Sequence, residues 1–386
     1  MLRVITLLCF FALTPTAGTL LWEARPGPRD LGGLAESAGI LTAGNLDGTG
    51  AIFGFNADTG KLLWSHHGEP MRARSVSDGQ HVFALFDTDE RRRHLVAYDL
   101  KTGKQLWDNP IEDRKCNQSP VPIVDSGRVY ILDRAGHLNA FSAATGATVY
   151  RFAYATDDPS CPSGLTLANN RLYFSAGQRD SSKSSPGNFL WAVDAATGKE
   201  LWKYQTHLIV KYISDIFATP SASAETVVAT SGNVILALRA STGTLLWSNK
   251  AEGVSGGYPK PYPLSAPIIA NGIAFAARLE AIESWNLADG KPLPAIPVKF
   301  LTDIDFTHLY ADGATLFFLG NIPNDPDSQA GRAPLHAMDI PSRKILWTHR
   351  VNRQSKFIEN WVTENVLVTP TAVYYDNNSL IAKVAR

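Results

Sequence analysis

A chain of 386 residues with 45% hydrophobic and 19% charged residues has ample apolar material for a globular core. Its 36 lysines and arginines balance 36 aspartates and glutamates, which excludes a uniformly basic nucleic-acid binder or a polybasic membrane protein. The 30 glycines, 23 prolines and 9 tryptophans point to many turns and strands rather than long helices.

Residues 1–18 read as a secretory leader. Arg3 is followed by the apolar run VITLLCFFAL (4–13) and by the small residues Thr16, Ala17 and Gly18. That run is shorter than the roughly 20 residues of a membrane span, and no later run reaches that length. Cleavage is expected after Ala17 or Gly18, with Pro15 favouring Gly18. Cys9, flanked by Leu8 and Phe10, makes a poor lipid-attachment site. Export to the periplasm or the medium leaves Cys116 and Cys161, which an oxidising compartment is expected to join. That closure would constrain the unfolded chain by roughly 4 kcal/mol. Two separate buried thiols are the alternative.

The mature chain, 19–386, is built on a repeat. GFNADTGKLLW spans 54–64, AYDLKTGKQLW 97–107, AFSAATGATVY 140–150, AVDAATGKELW 192–202 and ALRASTGTLLW 237–247. Two degenerate copies follow, SWNLADGKPLP at 284–294 and AMDIPSRKILW at 337–347. The turn glycines Gly60, Gly103, Gly146, Gly198, Gly243 and Gly290 recur every 43 to 52 residues, a period of propellers and solenoids. Apolar and polar residues alternate before each turn, as in a half-buried strand. The Thr-Gly pair supplies a short hairpin closed by a glycine of positive φ. A second strand then runs into the tryptophan.

Two further strands precede each hairpin. The second strands of the units read GILTAG, HVFALF, RVYILD, RLYFSA, TVVATS, GIAFAA, TLFFLG and AVYYDN. Eight units of four strands, about 45 residues each, predict an all-β, eight-bladed propeller of antiparallel blades. The last unit, ending LIAKVAR, lacks a Thr-Gly turn and a tryptophan strand, whereas the N-terminus carries GTLLW (18–22) with no strand before it. The N-terminal strand is therefore expected to close the last blade and protect its edge.

These motifs resemble the PQQ-type β-propeller repeat family, whose blade signature is Ala-x-Asp-x-x-Thr-Gly-x-x-x-Trp, over essentially the whole mature chain. The resemblance implies that the signature aromatic docks between neighbouring blades: Trp22, Trp64, Trp107, Tyr150, Trp202, Trp247 and Trp347 stand in that slot. Leu293-Pro294 leaves the sixth slot without one. In size and closure the chain is similar to the eight-bladed lipoprotein propeller of the outer-membrane protein assembly machinery. The enzymatic members, the quinoprotein dehydrogenases, are longer and carry a vicinal cysteine pair and a calcium-bound quinone. Adjacent cysteines are absent here. No cofactor is therefore expected, with PQQ and calcium as the alternative.

The topology sorts the connections onto two faces. Thr-Gly turns and the tight links DSG, ANN and ANG share one; the long segments GQRDSSKSSPGN (177–188) and GNIPNDPDSQAGR (320–332) and the inter-blade stretches share the other. Function tends to ride on elaborated loops held by a rigid scaffold. Candidate funnel residues there are Arg74, Arg134, Lys211, Asp215, Arg278, Asp305, His308 and Glu359. Tyr258, Tyr262 and Trp361 are candidate rim anchors for a partner. Each residue taken alone also fits a solvated loop. Gly253-Val254-Ser255-Gly256-Gly257 matches a nucleophile elbow, but it falls in an inter-blade loop instead of a strand-to-helix turn. The adjacent His66 and His67 lack the spacing of a zinc set. The expected protein is a monomeric exported scaffold for a protein or other extracytoplasmic macromolecule.

Overall fold

The computed structural model describes residues 15–26, 31–45, 51–67, 75–87, 93–112, 121–155, 162–178, 187–206, 218–251, 264–278, 280–298, 309–323, 334–350, 366–377 and 380–386. Among them, strands β1 to β32 form eight four-stranded antiparallel sheets. Seven sheets use four consecutive strands, as in β2 (Leu31–Ser37), β3 (Ile40–Asn45), β4 (Ala51–Asn56) and β5 (Leu62–His67). The eighth has the order β1 (Leu20–Ala24), β32 (Leu380–Ala385), β31 (Ala372–Asn377), β30 (Val366–Val368). The protein is an eight-bladed β-propeller, and its N-terminal strand closes the last blade.

The strand character follows position within the blade. First strands are short, such as β22 (Ile268–Ala270), and neighbouring blades meet along them. Third strands are covered on both faces, so β20 (Val234–Arg239) reads as the nearly continuous apolar run VILALR. Fourth strands face solvent and alternate; β5 and β13 (Thr148–Ala153) share one burial pattern. Among the described residues, eight separate apolar clusters fill the eight seams. The one between blades 1 and 2 joins Ile40 and Ile52 to Val82, Phe86 and Tyr98. Burial there pushes the Tyr98 phenol up to about 12, with the Asp108 charge adding to it.

Every seam but the sixth is keyed by one aromatic. Trp64 Nε1 donates to the Leu100 carbonyl of the next blade at 2.9 Å, and its ring lies where a Cβ on Gly103 would come within 2.7 Å. Trp22, Trp107, Trp202 and Trp247 donate likewise to Ala57, Ala143, Ala240 and Leu287, and the Tyr150 hydroxyl to Ala195 at 3.1 Å. The acid of the signature caps the turn: Asp99 Oδ1 accepts from Thr102 N at 2.8 Å and Thr102 Oγ1 at 2.7 Å. Those bonds hold its carboxyl below the usual range.

The sixth seam works differently. Where the tryptophan is missing, the next blade also lacks its turn glycine, and Arg343 stands there with a φ of 56°. Its guanidinium donates to the Pro294 carbonyl and to Ser284 Oγ. A long cation with an apolar stem thus bridges the space an indole would occupy. Burial holds the Arg343 pKa below its ordinary value.

At the seventh seam, His349 Nδ1 donates to the Gly18 carbonyl at 2.8 Å, and its Nε2 lies 3.2 Å from the Tyr375 hydroxyl. Burial holds this imidazole below its ordinary value of 6.5, opposed in part by the Gly18 carbonyl and the Glu23 charge. The unfolded chain therefore takes up this proton more readily than the folded one. The contribution of His349 to stability is complete above about pH 6.5 and declines as the pH falls below that. Acidification from about pH 7.5 to about pH 5.5 is expected to lower the urea midpoint of the wild type more than that of His349→Asn. Asparagine keeps a donor and does not titrate. Equal shifts in the two proteins would remove His349 from the acid response.

Candidate functional site

The two ends of the ring differ. On the Thr-Gly end, first-to-second and third-to-fourth turns are hydrogen-bonded together in blade after blade. Ala57, Leu100, Ala143, Ala195, Ala240, Leu287 and Ile340 donate their backbone N–H to the carbonyls of Gly39, Gln80, Gly127, Asn170, Glu225, Gly272 and Ala314. On that end seven blades therefore tie their two turns together by a backbone bond. The opposite end receives the connections between second and third strands and all inter-blade connections.

Two of the candidate funnel residues are described, and they stand three blades apart. Arg134 lies in the tight turn between β11 (Arg128–Leu132) and β12 (His137–Ser142) of blade 3. It is buried at 7% exposure and engaged in an interaction of its own. Arg278 ends β23 (Ile273–Arg278) in blade 6 and pairs with Glu283 across the hairpin. Arg74, Lys211, Asp215, Tyr258, Tyr262, Asp305, His308, Glu359 and Trp361 lie outside the described residues, as do Cys116, Cys161 and residues 253–257. His66 and His67 are packing residues, ringed against Tyr98 at 4.9 Å and Phe53 at 6.1 Å between centroids.

Beside Arg134 the structure assembles a polar cluster that the sequence alone does not single out. Asp133, 2% exposed, accepts the backbone N–H groups of Ala135 at 2.9 Å and His137 at 2.8 Å through Oδ1, and Asn139 Nδ2 at 3.1 Å through Oδ2. Arg151, from the fourth strand, donates to Asp133 Oδ2 at 3.3 Å, to His137 Nδ1 at 2.8 Å and to Glu112 Oε2 of blade 2 at 2.9 Å. Tyr154 donates its hydroxyl to the Asp133 carbonyl at 2.9 Å. Burial first, and then the Asp133 charge, push that phenol far above its usual range.

Ligand atoms of Glu112, Asp133 and His137 lie within 4.8 Å of one another. The Arg151 guanidinium already occupies the centre of that set, so the cluster does not fit a calcium ion. It ties blades 2 and 3 together near the outer strands, away from the axis. The signal that could have found it is the Asp-x-x-x-His spacing across one turn, in which the carboxylate caps the backbone as Asp99 does elsewhere. Asp133→Asn is expected to lower stability by about 1 to 3 kcal/mol, because an amide cannot accept all of these donors. Urea unfolding with the midpoint of the wild type would show the cluster to be dispensable.

A family model described as outer membrane protein assembly factor BamB matches residues 11–179 and 48–292. The chain belongs to this PQQ-like propeller family. A curated relative, the outer membrane protein assembly factor BamB of Nitrosomonas eutropha, is 28% identical over 174 residues, 41% of this chain and 40% of the relative. The polyvinylalcohol dehydrogenase of Sphingopyxis sp. is 28% identical over 153 residues, 33% of this chain and 23% of that enzyme. These alignments span well under two thirds of either relative's own length. The crystal structure of BamB from Moraxella catarrhalis superposes with a TM-score of 0.64 at 14% identity, covering 95% of this chain and 97% of that one. That likeness shows the fold. Among the described residues no helix is long and apolar enough to cross a membrane.

Proposed function

We propose that the protein is an exported, non-enzymatic scaffold that presents its long-loop end to other macromolecules, in the manner of an outer-membrane assembly factor. The observation that carries this reading is the asymmetry of the ring. One end is sealed by repeated backbone hydrogen bonds between its turns, and every long connection belongs to the other. The family match supports an assembly role. The candidate anchors Tyr258 and Tyr262 fall within the connection between blades 5 and 6, and Trp361 within that between blades 7 and 8.

The test is genetic and biochemical. Loss of the protein is expected to lower the amount of folded β-barrel proteins in the outer membrane. The intact chain should restore it, and a folded variant lacking residues 251–262 should not. Full restoration by that variant would remove the segment from the working surface, and unchanged barrel levels in the deletion strain would refute the assembly role.

Similarity to polyvinylalcohol dehydrogenase supports a second reading, a quinone-binding propeller. The described cluster of possible metal ligands is held by Arg151 and offers that cofactor no calcium. Saturable binding of PQQ with calcium, accompanied by dye-linked alcohol oxidation, would overturn the scaffold reading. The expected result is neither.

A further inference from the structure

The closing blade rebuilds a Thr-Gly turn from the two ends of the chain, and Gly18 is its glycine. In blades 1 to 6, the turn glycine donates its N–H to the last residue of the third strand. Gly60 donates to Asn56, Gly103 to Asp99 and Gly146 to Ser142, at 2.9 Å each. The residue after the glycine accepts in return: Lys61 from Asn56 and Lys104 from Asp99, at 2.8 Å each. In blade 8 the third strand ends at Ala385. Gly18 N donates to Ala385 O at 2.8 Å, and Ala385 N donates to Thr19 O at 2.8 Å. The same pair of bonds forms, with residues from opposite ends of the sequence.

The neighbouring blade treats Gly18 as it would any turn glycine. Its φ is +81°, and a Cβ there would meet Trp347 at 3.3 Å, the same neighbour in a looser fit than the 2.4 to 2.9 Å at which the glycines of blades 1 to 6 meet their aromatics. Two residues past the tryptophan, a side chain reaches the glycine carbonyl: Asn109 to Gly146 and Asn249 to Gly290, each at 2.6 Å. His349 reaches Gly18 in the same way, at 2.8 Å. By contrast, residues 15 to 17 are exposed.

We propose that the export leader is removed by hydrolysis of the Ala17–Gly18 peptide bond, so that the mature chain begins at Gly18. Water adds across that bond, leaving a carboxylate on Ala17 and a free α-amino group on Gly18. This ammonium keeps the donor that bonds Ala385 O, now as a charge-assisted bond. A cut one residue later removes the glycine carbonyl that His349 binds, the donor to Ala385 and the seat of the Trp347 ring. Ala17 and Gly18 are both small enough to precede the cut, and Pro15 favours the later one; the bonds made by Gly18 in the folded ring decide for the earlier. The proposal rests on the export reading.

The chain carrying its own leader is to be expressed in a secreting bacterial host, recovered from the extracytoplasmic fraction, and subjected to N-terminal sequencing and intact-mass measurement. The expected first residue is Gly18. An exported, folded chain starting at Thr19 or later overturns the proposal, as does one starting at Ala17 or earlier. An uncut chain confined to the cytoplasm overturns the export reading and this one with it. A second measurement is independent of export: chains beginning at Gly18 and at Thr19 are refolded and unfolded in urea. The Thr19 chain is expected to unfold at a lower midpoint, and coincident curves would overturn the structural premise.

Discussion

Deleting residues 19–25 is expected to abolish the cooperative native state instead of trimming a tail. The segment contains β1, which pairs with β32 from Leu20↔Val384 to Ala24↔Ile381. Without it the last blade has three strands, and β32, buried along its whole length, gains a bare edge. Trp22 is lost as well. It donates to the Ala57 carbonyl at 3.1 Å and packs with Tyr374 at 6.0 Å between ring centroids. Truncating a fully buried tryptophan costs about 3 to 5 kcal/mol, an upper bound for the half-buried Trp22, and a whole domain is stable by only about 5 to 15 kcal/mol. Loss of a strand together with its tryptophan therefore takes up most or all of that margin. Lys383, opposite Trp22 in the register and only 8% exposed, would lose the cover of β1, which opens its Nζ bond to the Ala57 carbonyl to water. Circular dichroism with urea unfolding reads the result, and the intact chain beginning at Gly18 is the control. A truncated chain with the wild-type midpoint would mean that β1 does not hold the ring closed.

The architecture was legible because its code is local and repeated. A glycine that must take positive φ, an acid or amide capping the turn, and an aromatic four residues past the glycine all fall within one eleven-residue window. Closure was legible for the same reason, since GTLLW carries half of that window at the wrong end of the chain. The sixth seam was only half legible. Leu293-Pro294 announced a missing aromatic, but its replacement, Arg343, lies 49 residues further on in the next blade. It shows only as Ser-Arg-Lys where the turns of blades 1, 2 and 4 read Thr-Gly-Lys. The site was less legible still. Arg278 was read as a funnel residue from its place on the long-loop face, and that place says nothing about Glu283 waiting across the hairpin. The Asp133 cluster draws Arg151 from the fourth strand of blade 3 and Glu112 from just past that of blade 2, and no repeat rule marks them. Loops differ from blade to blade because the fold does not constrain them, so the period that reveals the scaffold cannot reveal what the loops bind.

Gly103→Ala is expected to cost about 1.5 to 4.5 kcal/mol. Two penalties combine. At a φ of +69° an alanine pays about 1 to 3 kcal/mol of backbone strain, and its methyl would sit 2.7 Å from Trp64 Cδ2 and Cε3. Relieving that overlap moves the indole off the Leu100 carbonyl, a bond worth about 0.5 to 1.5 kcal/mol. If both residues act through one contact, Trp64→Ala and Gly103→Ala should not add. With the ring gone only the backbone strain remains, so the double variant should be destabilised by clearly less than the sum of the two single variants. Strict additivity in urea unfolding would sink the idea that the ring dictates the glycine. Seam six supplies the contrast. Arg343→Gly should change stability by no more than about 1 kcal/mol, because it removes two hydrogen bonds and relieves the left-handed strain of a residue with a side chain. Blade 6 brings no indole to that turn, and there the ring tolerates an arginine where its other described turns hold glycine.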